Sequence, residues 1–261
     1  MKTVLMFITL VFTSMNLHAE IIGKVINYTD GETSMNGYIA YDDSIKGQRP
    51  GILVVHEWWG HNQYARQRAR MLAEQGYVAL AVDMYGEGLQ ADHPKDAMKF
   101  SGQINSNFPI AESRFGAAMT VLKQQAMVDN EKLAAAGYCF GGGMVLQLAR
   151  NGLDVDLVAV FHGSLNSNKP AQKGQIKAKV LVFNGEDDPM VKPEHIDTFK
   201  QEMNRANVDY LFFNYPGAKH AFTNPGADEL GRKFNLPLAY NKKADRHSWA
   251  EFLQYLERAF K

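Results

Sequence analysis

The sequence predicts an α/β protein: a mostly parallel central sheet with helices on both faces. Short apolar runs rich in valine, leucine and alanine alternate along the chain with longer segments whose apolar residues recur at helical spacing. Glycine and proline separate many of these segments. No internal repeat or low-complexity tract interrupts the alternation. We therefore expect strand–helix–strand units joined by right-handed crossovers.

The predicted elements follow an opening hairpin in a regular order. Residues 21–28 and 34–41 flank the turn 29–31 and predict that hairpin. The later predicted strands are 51–55, 77–82, 133–137, 155–161, 180–183 and 210–215, and the predicted helices are 63–75, 109–125, 142–150, 193–206 and 242–260. Gly76 ends the first of these helices. Residues 84–108 are expected to be irregular, with room for a short helix, because they contain Gly86, Gly88 and Pro94.

Length and charge restrict the class of function. A chain of 261 residues with 46% hydrophobic residues is long enough for one α/β domain with a full core. Its 28 basic and 28 acidic side chains balance, and no basic stripe with interleaved aromatic residues is present. We therefore expect a single domain over residues 20–261 that acts on a small molecule and binds no nucleic acid.

The first nineteen residues have the composition of a secretory signal peptide. Lys2 precedes the apolar run 3–15, and the segment 17–19 ends in alanine, so cleavage is expected before Glu20. The run is shorter than the roughly 20 residues of a membrane span. An uncleaved anchor helix is the alternative. The sequence thus predicts an exported protein, periplasmic or secreted, with no stable membrane insertion after cleavage.

The lone cysteine, Cys139, stands in a segment with the form glycine, any residue, nucleophile, any residue, glycine. This segment, GYCFGG at 137–142, follows a predicted strand and opens a predicted helix. Such a turn exposes the nucleophile and aims the first N–H groups of the helix at it, which favours a thiolate and a developing oxyanion. The alternative is a buried core cysteine in a glycine-rich turn. With a single cysteine the chain forms no internal disulfide.

A nucleophilic cysteine requires a base and a group that orients the base. The last two predicted strands end in candidates for both roles. One is followed by Glu186, Asp187 and Asp188, and the other by His220. The order nucleophile, acid, histidine is that of the α/β-hydrolases. We therefore predict a triad of Cys139, His220 and one of the three carboxylates.

A second motif, HEWWGH at 56–61, follows the strand predicted at 51–55. Its histidines are one residue too far apart for the zinc motif H-E-x-x-H, so no metal is predicted. The N–H of Trp58 is instead expected to complete an oxyanion hole. Glu57 would lie near the thiol, with a structural carboxylate as the alternative. His162, which also follows a predicted strand, either lines the pocket or has a structural hydrogen-bonding role.

Five segments together resemble the dienelactone hydrolase family: HEWWG at 56–60, DMYG at 83–86, GYCFGG at 137–142, GxxDxxV at 185–191 and YxxAxHxF at 215–222. The resemblance extends from about Ile21 to the end of the chain. It implies the α/β-hydrolase fold, and a hydrolase of small esters or lactones with Cys139 as nucleophile, His220 as base and Asp188 as the acid. No cofactor is implied.

The resemblance also implies roles for three other residues. The N–H groups of Trp58 and Phe140 would bind the oxyanion, and Glu57 would help to manage the thiol proton. Apart from the resemblance, Tyr85, Trp58, Trp59 and Phe140 are expected to form an aromatic pocket wall, with a position in the core as the alternative. The sequence departs from the family at two arginines that bind a substrate carboxylate, because Glu87 and Asn224 stand in those places.

This departure predicts that neutral esters or lactones are hydrolysed faster than anionic ones, provided that Glu87 and Asn224 face the pocket. Lys219, Arg232 or Lys233 would supply a cation if a loop were shifted. Two other functions are weighed against hydrolysis. A non-catalytic binding module would lack a triad member, and none is missing. A thiol-dependent redox or acyl-transfer role would need a resolving thiol or an acceptor site, and neither is evident.

Overall fold

A computed structural model of the protein describes residues 20–261, so the predicted signal peptide lies outside the described residues. The chain forms one eight-stranded sheet with the order β1-β2-β4-β3-β5-β6-β7-β8. The strands are β1 Ile21–Asp30, β2 Thr33–Asp42, β3 Arg49–Val55, β4 Val78–Val82, β5 Val128–Tyr138, β6 Leu157–Phe161, β7 Lys179–Gly185 and β8 Tyr210–Tyr215. The helices are α1 Gln63–Ala73, α2 Pro94–Asn105, α3 Phe108–Lys123, α4 Phe140–Arg150, α5 Pro193–Arg205, α6 Ala227–Phe234 and α7 Lys242–Ala259.

The sheet is mostly parallel, as the sequence predicts. Strands β3 to β8 all run in one direction, while β1 and β2 form the predicted antiparallel hairpin and β2 joins β4 antiparallel. A tight turn cannot connect parallel neighbours, so longer segments join these strands. Each such connection contains a helix except the one between β6 and β7, residues 162–178, which is irregular.

Both faces of the sheet are buried. In β3, Leu53 and Val55 pack into a core cluster that also contains side chains of α2, α3, α4 and α5. The alternate residues Ile52 and Val54 point to the other face, where α1 and α7 cover them. Alternation along the strand places successive side chains on opposite faces, so a strand that is apolar throughout is buried on both.

Helix α2 is a full helix of twelve residues within the stretch expected to be irregular. The side chain of His93 accepts a hydrogen bond from the N–H of Lys95 at 3.1 Å and caps the helix, and Pro94 occupies the first position. Proline is tolerated there because the missing N–H would have had no partner within the helix. Pro94 therefore begins a helix, whereas the sequence prediction took it as a sign of irregular structure.

Helix α6, Ala227–Phe234, does not correspond to any predicted element. Gly231 stands in its interior and reads in the sequence as a helix breaker. In the structure the backbone of Leu238 packs so closely that a Cβ at residue 231 would lie 2.6 Å from its carbonyl oxygen. The glycine is required for this tertiary approach, which sequence spacing does not reveal.

The carboxyl ends of β3 to β8 meet at one edge of the sheet. This arrangement brings the residues that follow β3, β5, β6, β7 and β8 to a common region, where ligands of open α/β sheets bind. Among the helices of residues 20–261, none is both long and apolar enough to cross a membrane.

Candidate active site

Cys139 stands at the tight turn between β5 and α4. Its backbone has φ 54° and ψ −114°, a strained conformation for a residue with a side chain. Gly137 and Gly141 make the turn possible, because a Cβ at either position would lie 2.0 Å and 2.4 Å, respectively, from a backbone oxygen. The half-buried thiol faces the cavity beyond the strand ends. This is the geometry expected of a nucleophile elbow.

His220 and Asp188 are joined by a hydrogen bond at the ends of β8 and β7. The Nδ1 of His220 donates to Oδ2 of Asp188 over 2.7 Å, and both side chains are buried. The other carboxylate oxygen of Asp188 accepts the N–H of Met190 at 2.8 Å. Glu186 and Asp187 are exposed instead. Of the three predicted acids, the structure brings only Asp188 to His220.

The charge state of His220 depends on its neighbours. Burial alone lowers the pKa of an imidazole, but the nearby Cys139 sulfur and the hydrogen-bonded Asp188 carboxylate outweigh it and raise the pKa of His220 well above its usual value. His220 lines the same cavity as Cys139. The site therefore favours the protonated form of His220 beside the Cys139 sulfur.

The N–H groups of Trp58 and Phe140 remain available at the cavity. Within residues 20–261, neither donates a hydrogen bond. The two segments that carry them are held together, because the N–H of Gly141 donates to the carbonyl of His56 at 3.1 Å. Two backbone donors without a partner, after adjacent strands, are the kind of group from which oxyanion holes are built.

Tyr85 does not line the cavity and belongs to the core, which was the alternative to a place in the pocket wall. Its hydroxyl donates to the carbonyl of Trp58 at 2.9 Å, and its ring packs 5.5 Å from that of Phe140. Tyr85 therefore packs against the segments that carry Trp58 and Phe140. Asp83, from the same DMYG motif, accepts the N–H groups of Tyr85 and Gly86 and so fixes this loop.

His162 has the structural role that the sequence left open. It is fully buried, and its Nδ1 accepts the N–H of Cys139 at 3.1 Å. Its Nε2 then donates to Oγ1 of Thr223 at 2.7 Å, in the loop that carries His220. Burial and the proximity of His220 hold the pKa of His162 well below its usual value, so it is neutral. The ring connects the nucleophile turn to the histidine loop.

Glu57 is a buried carboxylate behind the cavity wall. Its Oε2 accepts a hydrogen bond from Nδ2 of Asn224 at 2.6 Å, while Oε1 has no partner among residues 20–261. Burial raises the pKa of Glu57 to about 7, against the opposing effects of Asn224, His220 and Arg68. Its charge therefore changes near neutral pH.

The cavity that begins at Cys139 has a volume of about 600 Å³ and is lined by apolar and polar side chains. The apolar ones are Trp58, Phe108, Phe140, Met144, Met190 and Val191. We define the polar wall as the residues Gln147, Asn151, Asn166, Ser167, Asn168 and Lys169, which carry carboxamides, a hydroxyl and an amine; Ser101, Asn105 and Ser164 also line the cavity. Most of the polar wall belongs to the connection between β6 and β7, which carries no motif and therefore gave no signal in the sequence.

The structure does not support the predicted repulsion of anionic substrates. Glu87 is exposed and does not line the cavity. Asn224 does not line it either, because its amide is engaged with Glu57. The condition that both side chains face the pocket is therefore not met.

The two histidines of the HEWWGH motif do not form a metal site. Nδ1 of His56 donates to the carbonyl of Glu57 at 2.6 Å, and Nε2 accepts the N–H of Met84 at 3.3 Å. Burial lowers the pKa of His61 to about 3. Across residues 20–261 no group of three or more histidine, cysteine, aspartate or glutamate side chains has an arrangement that would hold a metal ion.

Comparisons with known proteins agree with this geometry. Residues 35–260 match the model of the dienelactone hydrolase family. The chain is 27% identical over 223 residues to a putative carboxymethylenebutenolidase of Yersinia pestis, covering 80% of this chain and 81% of that protein. A solved structure of a dienelactone hydrolase-like promiscuous phosphotriesterase from metagenomic libraries superposes with a TM-score of 0.86 at 34% identity, covering 94% of this chain and all of that one. The chain belongs to the dienelactone hydrolase family of carboxylic-ester and lactone hydrolases.

Proposed function

We propose that the protein hydrolyses small esters or lactones through a covalent intermediate on Cys139. The observation that carries this proposal is the hydrogen-bonded pair of His220 and Asp188 at the cavity that Cys139 enters from its strained turn. A nucleophile, a base and an orienting acid on three strand ends form the unit that acyl transfer requires.

In the first half-reaction the sulfur of Cys139 attacks the substrate carbonyl carbon, and the carbonyl electrons move to oxygen. The N–H groups of Trp58 and Phe140 stabilise this oxyanion. The carbon–oxygen bond to the leaving group then breaks, and protonated His220 gives its proton to the departing alkoxide. The product is a thioester on Cys139; for a lactone the leaving alcohol stays attached to the acyl chain.

In the second half-reaction a water molecule attacks the thioester, and His220 takes the proton. The tetrahedral intermediate collapses, the carbon–sulfur bond breaks and the thiolate is regenerated with release of the acid. Asp188 stabilises the imidazolium and holds the tautomer with its proton on Nδ1. Because Glu57 changes charge near neutral pH, we assign to it an electrostatic influence on the thiolate–imidazolium pair rather than a place in the bond-making steps.

The nucleophile is tested with purified residues 20–261. We expect Cys139→Ala and His220→Ala each to lower kcat/KM for an activated ester by about 10³-fold or more, because members of a catalytic unit act together. Surface-exposed His247→Ala is the matched control and should retain activity. A folded Cys139→Ala variant that retains substantial turnover would disprove the proposal. Loss of turnover on Cys139→Ala excludes the non-catalytic binding module at the same time.

The reactivity of the Cys139 thiol is tested by mass spectrometry. Iodoacetamide should add one carboxamidomethyl group at Cys139 and inactivate the enzyme, and His220→Ala should slow the labelling. A panel of short esters, thioesters and lactones identifies the bond that is cleaved. A neutral phosphotriester belongs in that panel, because one relative at 34% identity is described as a promiscuous phosphotriesterase.

We also propose that the protein is exported and cleaved before Glu20, on the basis of Lys2, the apolar run and the segment ending in Ala19. Intact-mass analysis of the protein from the extracytoplasmic fraction should show the loss of nineteen residues. Recovery of the full-length mass from that fraction would contradict the proposal.

A further inference from the structure

We propose that the polar wall of the cavity binds an anionic group at the far end of the substrate, and that Lys169 is the residue that recognises it. The inference rests on the proposed function, because it concerns the substrate of the same site. It replaces the expectation that neutral esters are preferred. Three observations support it: the charge of the cavity, the partners of Lys169 and the way its loop is held.

The charge of the cavity wall is one-sided. Of the side chains that line it, Lys169 is the one permanent cation, and no aspartate or glutamate of the described chain lines it. Lys169 lies among carboxamides and a hydroxyl, which supply further donors for an anion. A carboxylate that enters this region would therefore not be repelled by a negatively charged side chain of the cavity lining.

Lys169 and Lys173 are both exposed and form no salt bridge within residues 20–261, and of the two only Lys169 lines the cavity. Lys177 and Lys179, at the end of the same connection between β6 and β7, each form a salt bridge with an aspartate, at 3.4 Å and 2.7 Å. The ammonium of Lys169 forms no salt bridge within residues 20–261; its hydrogen-bond partner is the neutral Oδ1 of Asn151 at 3.4 Å. The charge of Lys169 is therefore available to a ligand.

The loop that carries Lys169 is fixed at both ends by a buried ion pair between α4 and α5. Arg150 binds both carboxylate oxygens of Glu202, at 2.9 Å and 2.7 Å, and the two side chains are almost fully buried. Arg150 also donates to the carbonyl of Leu165 at 2.8 Å, before Lys169. Glu202 also accepts the N–H of Ala171 at 2.6 Å, after Lys169.

The middle of the loop is held as well. Nε2 of Gln147 donates to the carbonyl of Asn166 at 2.9 Å, and the hydroxyl of Ser167 donates to Oε1 of Gln147 at 3.2 Å. The N–H of Lys169 donates back to the same Ser167 hydroxyl at 3.0 Å. These hydrogen bonds restrain an irregular loop, and restraint before binding lowers the entropic cost of ordering it on a ligand.

The test compares two matched ester series. The 4-nitrophenyl monoesters of linear dicarboxylic acids carry a free distal carboxylate, and the same compounds with that carboxylate as a methyl ester are neutral. Wild-type enzyme should show the higher kcat/KM on the free acid at the chain length that reaches the polar wall. Raising the NaCl concentration should reduce this preference, since an exposed charge pair is screened.

Variants assign the preference to Lys169. Lys169→Gln should lower kcat/KM for the free acid by about 10-fold and leave the methyl ester within about twofold, because a charge-assisted bond is lost only with the anion. Lys169→Glu should reverse the preference. Lys173→Gln, a change at an exposed lysine outside the cavity, is the matched control and should behave as wild type.

Two outcomes would overturn the inference: equal kcat/KM for acid and methyl ester at every chain length, or a wild-type acid preference that Lys169→Gln leaves unchanged. A parallel fall on both series in Lys169→Gln would also overturn it, because it would show a structural role. Continued hydrolysis of the methyl esters separates such a failure from a failure of the proposed catalytic function, which would abolish turnover of both series.

Discussion

At the scale of single residues, the site places two buried carboxylates in different surroundings. Asp188 is satisfied on both oxygens, by His220 and by the N–H of Met190. Glu57 receives one hydrogen bond, from Asn224, and its Oε1 has no partner in the described chain. A carboxylate without a full set of donors is costly to bury in its charged form. Burial of the Glu57 carboxylate therefore raises its pKa.

The first prediction concerns Glu57 and stability. Its pKa is raised from 4.5 to about 7 in the folded protein, so the unfolded chain loses this proton first as pH rises. Wild-type stability should therefore decline from about pH 4.5 to about pH 7 through this group, by at most about 3 kcal/mol. Glu57→Gln is neutral at all pH values and should escape the decline.

Thermal and urea unfolding of wild type and Glu57→Gln at pH 5 and pH 8 measure the effect. The variant should gain stability relative to wild type at pH 8 and lose that advantage at pH 5. Glu112→Gln, at an exposed position on α3, is the control and should show no comparable pH dependence. An equal stability difference at both pH values would show that Glu57 does not titrate in this range.

At the scale of secondary-structure elements, the turn between β5 and α4 depends on glycine for a steric reason. The backbone of α4 returns so close to β5 that its own carbonyl at Gly141 occupies the space of a side chain at residue 137. The sequence predicted this turn and the strand and helix around it. It did not predict that β5 begins at Val128, because residues 129–132 are polar and pass through a shift in register with β3.

The second prediction compares two glycine substitutions. Gly137→Ala places a Cβ 2.0 Å from the carbonyl oxygen of Gly141, so the turn must shift and Cys139 must move. We expect kcat/KM to fall by about 10²-fold or more, since small displacements of a nucleophile are costly. Gly116→Ala, in α3, meets no atom within 4 Å and should raise stability by about 0.5–1 kcal/mol. Full activity of Gly137→Ala would contradict the steric account.

At the scale of the whole molecule, Arg68 connects the first and last helices to the histidine loop. It is buried, and its guanidinium donates to the carbonyl of Thr223 and forms a 2.7 Å salt bridge with Asp245 of α7. The same group lies 5.2 Å from the ring centre of Tyr64 and 5.5 Å from that of Trp249. The closing helix therefore contributes to the position of the loop that carries His220.

The third prediction tests this connection. Asp245→Asn leaves Arg68 buried without its carboxylate, and we expect a loss of about 3 kcal/mol in the free energy of unfolding, with lower kcat/KM. Asp209→Asn removes the partner of Lys179 in an exposed pair and is the control. It should change stability little, because exposed ion pairs are screened by solvent. Similar unfolding midpoints for the two variants would refute a special role for the buried pair.

The sequence and the structure differ in how much each reveals of the site. The alternation of apolar runs predicted the parallel sheet. Motifs at strand ends predicted the pair of Asp188 and His220, and they placed Cys139 at the cavity that His220 also lines. The polar wall could not be predicted, because the position of the Lys169 loop depends on hydrogen bonds to Arg150 and Glu202. These two residues form an ion pair between helices that are far apart in the sequence. The partner of Glu57, Asn224, is 167 residues away in sequence and follows from tertiary packing alone.

The anchoring of the Lys169 loop has a consequence for how such an enzyme changes its substrate. The proposed chemical groups follow strands of the sheet, whereas residues 166–169 are attached to α4 and α5 by Gln147, Arg150 and Glu202. Substitutions at exposed loop positions can therefore alter recognition without displacing the groups that make and break bonds. A library of variants restricted to residues 166–169 should therefore change which acyl groups are accepted, while the positions of Cys139, His220 and Asp188 stay the same.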